Sequence, residues 1–158
     1  KCATNKSSDF QALTMYSKIL VPIDGSEPSI RALDHAVCLS EIHGSEIQLI
    51  SVIDELKLPF GAQYSLWAQD SHQELVRSSL ESLNKEMMRV LDAYPEIMID
   101  AKIHEGDPAD TIVRLAEEGG YDLIIMGKKG QNIIEDLVRG SVTRKVVKHS
   151  KVTVTVVN

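Results

Sequence analysis

A chain of 158 residues that is 43% apolar and 25% charged has room for one domain with a full core, in the composition range of soluble globular proteins. The formal net charge of −6 argues against general nucleic-acid binding, and no stretch approaches the ~20 apolar residues of a membrane-spanning helix. Two cysteines cannot make a disulfide framework, so a reducing, cytoplasmic setting is expected.

The opening KCATNKSSDFQALT is polar and aperiodic. Residues 1–14 read as an expression leader or a disordered arm, and 15–158 as a single domain. Residues 17–23 (SKILVPI) form a short run rich in β-branched residues, a first strand that ends at the turn Asp24-Gly25-Ser26. Ile30, Leu33 and Val37 then recur at helical spacing, with Ser26 as a natural N-cap and Pro28 tolerated in the first turn. Cys38 lies within this pattern and is expected in the core. Residues 46–53 (EIQLISVI) read as a second buried strand. Residues 55–70 carry Pro, Gly and three aromatics and read as a long, partly ordered connection. From Val76 to Leu91, apolar residues step by three and four, which predicts a long amphipathic helix. Residues 97–104 are a third strand. Asp107-Pro108 opens another helix, with Ile112, Leu115 and Ala116 on its inner face. Residues 121–126 (YDLIIM) are a fourth strand, 141–149 a last helix, and 151–157 (KVTVTVV) a fifth strand.

Strands alternating with amphipathic helices imply a parallel sheet with right-handed crossover helices on both faces. In such sheets ligands bind at the carboxyl ends of the strands, where the winding reverses. Two turns are candidates for flanking that crevice: Pro22, Ile23 and Asp24 after strand one, and Met126 and Gly127 after strand four. Gly127 and Gly130 let backbone approach a ligand and permit positive φ. Gly140 and Ser141 open a helix whose free N–H groups suit an anion, with the Ser141 and Thr143 hydroxyls as further donors. Lys128 and Lys129 add point charges. Residues 128–158 hold seven Lys or Arg against two acids, a local balance of +5 that leaves −11 for the rest. Taken alone, these residues leave two readings open. One is a polyphosphate site; the other is turn glycines with Ser141 as an ordinary N-cap beside a solvated basic face.

The spacing G-x2-G-x9-G-[ST], filled by Gly127, Gly130, Gly140 and Ser141, resembles the ATP-binding signature of the universal stress protein family. The likeness extends from residue 16 onward through KILVPIDGSEPSIRAL, HEGDPADTIVRLAEEGGYDLIIMG and GSVTRKVVKHS. It implies an open five-stranded parallel sheet in the order 3-2-1-4-5 with helices on both faces, Rossmann-like, and a homodimer, here expected through the last strand. It also implies an ATP-binding regulatory or sensor protein, with Mg²⁺ held mainly by phosphates and water. Asp24 would meet the adenine edge or ribose beside Pro22 and Ile23, and Val52 would pack on the base. Backbone at Gly127, Gly130 and Gly140 with the Ser141 hydroxyl would hold the phosphates, Val142 and Thr143 completing the helix start. The chain departs from the family's usual pattern at Lys128-Lys129 and at Ser150-Lys151. Catalysis is expected to be at most slow hydrolysis, since no general base is evident. A slow ATPase or a nucleotidyl or phosphoryl transferase on the same fold, and an interaction module without nucleotide, are the alternatives. The five histidines show no metal spacing. His104, just before Gly106-Asp107-Pro108, reads as a surface turn histidine, with a place flanking the cleft as its alternative.

Overall fold

The structure, a computed structural model, describes residues 15–54, 66–128 and 140–158. In chain order it contains β1 (Lys18–Pro22), α1 (Glu27–His43), β2 (Glu46–Ile53), α2 (Leu66–Ala93), β3 (Ile99–Glu105), α3 (Pro108–Glu118), β4 (Leu123–Gly127), α4 (Ser141–His149) and β5 (Thr153–Val157). The sheet order is β3-β2-β1-β4-β5, as expected, and every pairing is parallel.

Side-chain alternation along the strands sends residues to two cores. Ile19, Val21 and Ile23 of β1 and its exit meet Leu33 and Val37 of α1 and Leu83 and Val90 of α2. Leu20, one residue out of step, meets Ile112 and Ala116 of α3 and Val146 of α4. Both faces of β1 and β4 are therefore covered, which explains why these strands read as unbroken apolar runs. Each such aliphatic side chain contributes roughly 1.5–3 kcal/mol by leaving water.

Local chemistry sets the helix ends. The Ser26 hydroxyl accepts from the Ser29 N–H at 3.3 Å, and Gly44, at φ +68°, closes α1 in the left-handed conformation that favours glycine. Asp107 caps α3 by accepting from the N–H groups of Ala109 and Asp110. At the amino end of the sheet, the Asp122 carboxylate accepts from the Ser17 and Lys18 N–H groups at 2.7 and 3.0 Å. This ties the start of β1 to the start of β4.

Two expectations are corrected. Cys38 is exposed rather than core. Leu33, Ala36, Val37 and Ser40 form the inner face of α1, and Cys38 lies ~100° further round the helix. The connection after β2 is also shorter than the 55–70 segment expected, because α2 already begins at Leu66. Its Pro and Gly lie at 59 and 61, and no Pro or Gly falls between 66 and 93 to break a helix. Strand ends shift slightly, with β3, β4 and β5 each starting two residues later than their apolar runs.

Candidate functional site

The carboxyl edge of the sheet gathers the exits of β1, β2 and β4 and the start of α4. On β1, Leu20 belongs to the α3/α4 core, and by alternation Pro22 and Asp24 follow it on that face. Val52 of β2 packs against the same core, as does Met126 of β4. Pro22 and Val52 are half-buried and Asp24 is exposed. Gly25, at φ +78°, reverses the chain after β1. The Asp24 carboxylate accepts from both the N–H and the hydroxyl of Ser26, at 3.0 and 2.6 Å, which holds it at the turn.

Three hydrogen bonds join the end of β4 to the start of α4 and the end of β5. The Gly140 N–H donates to the Lys128 carbonyl at 3.2 Å, and the Lys128 N–H to the Val157 carbonyl at 2.7 Å. The Thr143 hydroxyl donates to the Gly127 carbonyl at 3.0 Å. The first bond inside α4 runs from Arg144 N–H to Gly140 O. The N–H groups of Ser141, Val142 and Thr143 precede it, so they have no carbonyl to bond within the helix. Three backbone donors at the positive end of a helix dipole suit an anion.

The expected site residues divide accordingly. Pro22, Asp24, Val52, Lys128, Gly140, Ser141 and Val142 are brought to one edge with some exposure. Ile23 and Met126 come to the same edge, but their side chains are 3% and 4% exposed and belong to the core, so contact there falls to backbone. Thr143 is 5% exposed, and its hydroxyl proton is given to Gly127, so it anchors α4 to β4 instead of serving as a further donor. Lys129 and Gly130 lie outside the described residues.

The reasons for the glycines also change. Neither Gly127 nor Gly140 has a positive φ; Gly140 is at −53°, open to any residue. A β-carbon on Gly127 would lie 2.7 Å from the Pro28 carbonyl carbon and 2.9 Å from the Ser29 nitrogen. Gly127 thus lets the first turn of α1 lie against β4. Gly140, not Ser141, is the N-cap of α4, with no side-chain capping bond.

Sequence reading missed one further tie. Lys145 of α4 donates to Asp107, the cap of α3, at 3.3 Å, which braces the two helix starts against each other. The Asp-Pro cap was visible in sequence; its cation, 38 residues away, carried no local signal. The Asp110 N–H holds the Asp107 carboxyl below its ordinary pKa, against an opposing effect of burial, and Lys145 pulls it the same way. The folded carboxyl therefore gives up its proton more readily than the unfolded one. Its stabilisation is complete above 3.8 and is lost as pH falls through the lower folded value. The pair is largely exposed, so the loss is shallow. Urea midpoints measured from pH 7 to 2.5 should decline less in Asp107→Asn than in the wild type; identical acid slopes would contradict this.

Two concavities of about 430 and 470 Å³ lie elsewhere, beside the amino ends of β1–β3 and the C-termini of α1 and α2. In the first, Asp100 and Lys102 are already paired with each other at 3.3 Å. The carboxyl edge is the better candidate because its helix-start donors have no partner within the helix. Among the described residues no helix is long and apolar enough to cross a membrane.

The model of the universal stress protein family matches residues 15–158. A universal stress protein of Methanocaldococcus jannaschii is 32% identical over 154 residues, covering 90% of this chain and 95% of that one. Among solved structures, a universal stress protein of Lactobacillus plantarum superposes with a TM-score of 0.76 at 25% identity, over 90% of this chain and 98% of that one. Another, solved in complex with cAMP, superposes with a TM-score of 0.63 at 26% identity, over 90% and 97%. With a family match that takes in every described residue, the chain belongs to the universal stress protein family.

Proposed function

We propose that the protein binds ATP at the carboxyl edge and acts as a nucleotide-dependent regulator. The observation that carries this is the start of α4, drawn to β4 by the Gly140–Lys128 bond, where three backbone N–H groups precede the first bond of the helix. Phosphates would take those donors and the Ser141 hydroxyl, with Lys128 adding charge and Mg²⁺ held mainly by phosphates and water. Pro22 and Val52 offer half-buried apolar surface for the base, and Asp24 an acceptor for its edge or for the ribose. The relative solved with cAMP supports an adenine nucleotide at this fold. Charge-assisted hydrogen bonds are worth roughly 1.5–3 kcal/mol each, so three or four supply most of the ~8 kcal/mol of micromolar affinity.

Titration calorimetry with ATP, AMP, cAMP and adenosine tests this. Lys128→Glu should weaken ATP several-fold and leave adenosine nearly unchanged, because only phosphates feel that charge. Asp24→Ala should weaken all four ligands alike. Absence of binding to wild type at millimolar MgATP would refute the reading.

The same reading includes a homodimer through β5. This strand is a sheet edge whose Val156 is 42% exposed, and an unpaired β-prone edge invites pairing across a two-fold axis. Light scattering at micromolar concentration should give the mass of two chains for wild type and of one for Val154→Pro. A single-chain mass for wild type, or a dimer that survives Val154→Pro, would exclude this interface.

A further inference from the structure

His104 is the β3 partner of Val52 in the parallel register. Register partners on neighbouring strands share a face, and strands lie about 4.8 Å apart. Ile103, one residue earlier, faces the α1/α2 core, so His104 faces the α3/α4 side, beside Val52 at the carboxyl edge. The imidazole is half-buried and, among the described residues, has no hydrogen-bond partner. Its charged neighbours are Lys102 of β3 and Arg114 of α3.

Three basic side chains together would suggest an anion subsite. Lys102, however, is paired with Asp100 at 3.3 Å and Arg114 with Glu118 at 3.1 Å. Burial and the two cations also hold the imidazole below its ordinary pKa, so it is a neutral, flat, aromatic surface at neutral pH. Such a surface suits the face of a base.

Resting on the ATP reading above, we propose that His104 forms the outer wall of the base pocket, stacking on adenine beside Val52. The contact belongs to the base alone and is indifferent to the number of phosphates.

Calorimetry with ATP, adenosine and tripolyphosphate, each on wild type, His104→Ala and His104→Phe, separates the possibilities. Loss of a base-stacking aromatic is expected to cost roughly tenfold in affinity. His104→Ala should show that loss for ATP and adenosine equally, with tripolyphosphate unchanged, and His104→Phe should restore it. In the wild-type protein, NOE cross-peaks should join the His104 ring protons to adenine H2 or H8. Unchanged adenosine affinity in His104→Ala, a loss confined to the phosphate-bearing ligands, or absence of the cross-peaks in an ATP-saturated sample would overturn the assignment while leaving ATP binding intact. If wild type binds neither ATP nor adenosine, both readings fall together.

Discussion

Gly127→Ala is expected to lower stability by about 1–3 kcal/mol, the usual cost of forcing an extra carbon into a packed interior. The new methyl would meet the backbone of Pro28 and Ser29, 2.7 and 2.9 Å away. Main chain cannot swing aside like a long side chain, so the first turn of α1 would have to lift from β4. That turn follows directly on Asp24 and Ser26, and nucleotide affinity should fall with it. Thermal unfolding should show a drop of roughly 2–12 °C, from about 2–4 °C per kcal/mol in a chain of this size. A melting temperature within one degree of wild type would mean that the approach of α1 to β4 is looser than the structure has it. The apolar run before Gly127 announced a strand and a turn. It held no sign that a proline far upstream in the chain would occupy the space a side chain needs.

Gly140→Asp is expected to separate stability from binding. Gly140 caps α4 without a side-chain bond. An aspartate there supplies an acceptor for the free N–H groups and a negative charge at the positive end of the helix, gaining a few tenths to ~1 kcal/mol. The same carboxylate would occupy the donors on which the proposed phosphate site depends and repel a triphosphate. Affinity for ATP should fall more than tenfold, which is ~1.4 kcal/mol or more, while the urea midpoint holds or rises. Gly140→Asp binding ATP as tightly as wild type would remove the start of α4 from the site. The backbone at 140, at φ −53° and ψ 140°, accepts any residue, so strain cannot account for a loss of binding.

Much of the fold was legible because the signals were local. The alternation of strand runs and amphipathic helices, and the Ser26 and Asp107 caps, are all short-range patterns, and the structure has each where its residues indicated. The sheet order came from the family resemblance and agrees with the structure. What escaped depends on partners far apart in the chain. Thr143 looked like a free hydroxyl donor until the structure put the Gly127 carbonyl beside it. Ile23 and Met126 are named by the edge they reach, but their direction is set by strand parity. Ile23 falls in step with Ile19 and Val21 and turns into the core. His104 could be assigned a face only once its pairing with Val52 was known.

The tie between Asp122 and the start of β1 spans 104 positions in the chain. The central seam of the sheet, β1 against β4, is thus among its least local contacts, while β1, β2 and β3 are joined in sequence by α1 and α2. Closing so large a loop is entropically slow, and topologies dominated by such contacts fold late. The first three strands have their partners within reach well before β4 arrives to complete the seam. The candidate site at the carboxyl edge needs the exits of both β1 and β4 and the helix that follows. It is therefore a property of the finished chain, and a partly folded molecule, however compact its first half, has no such site to offer.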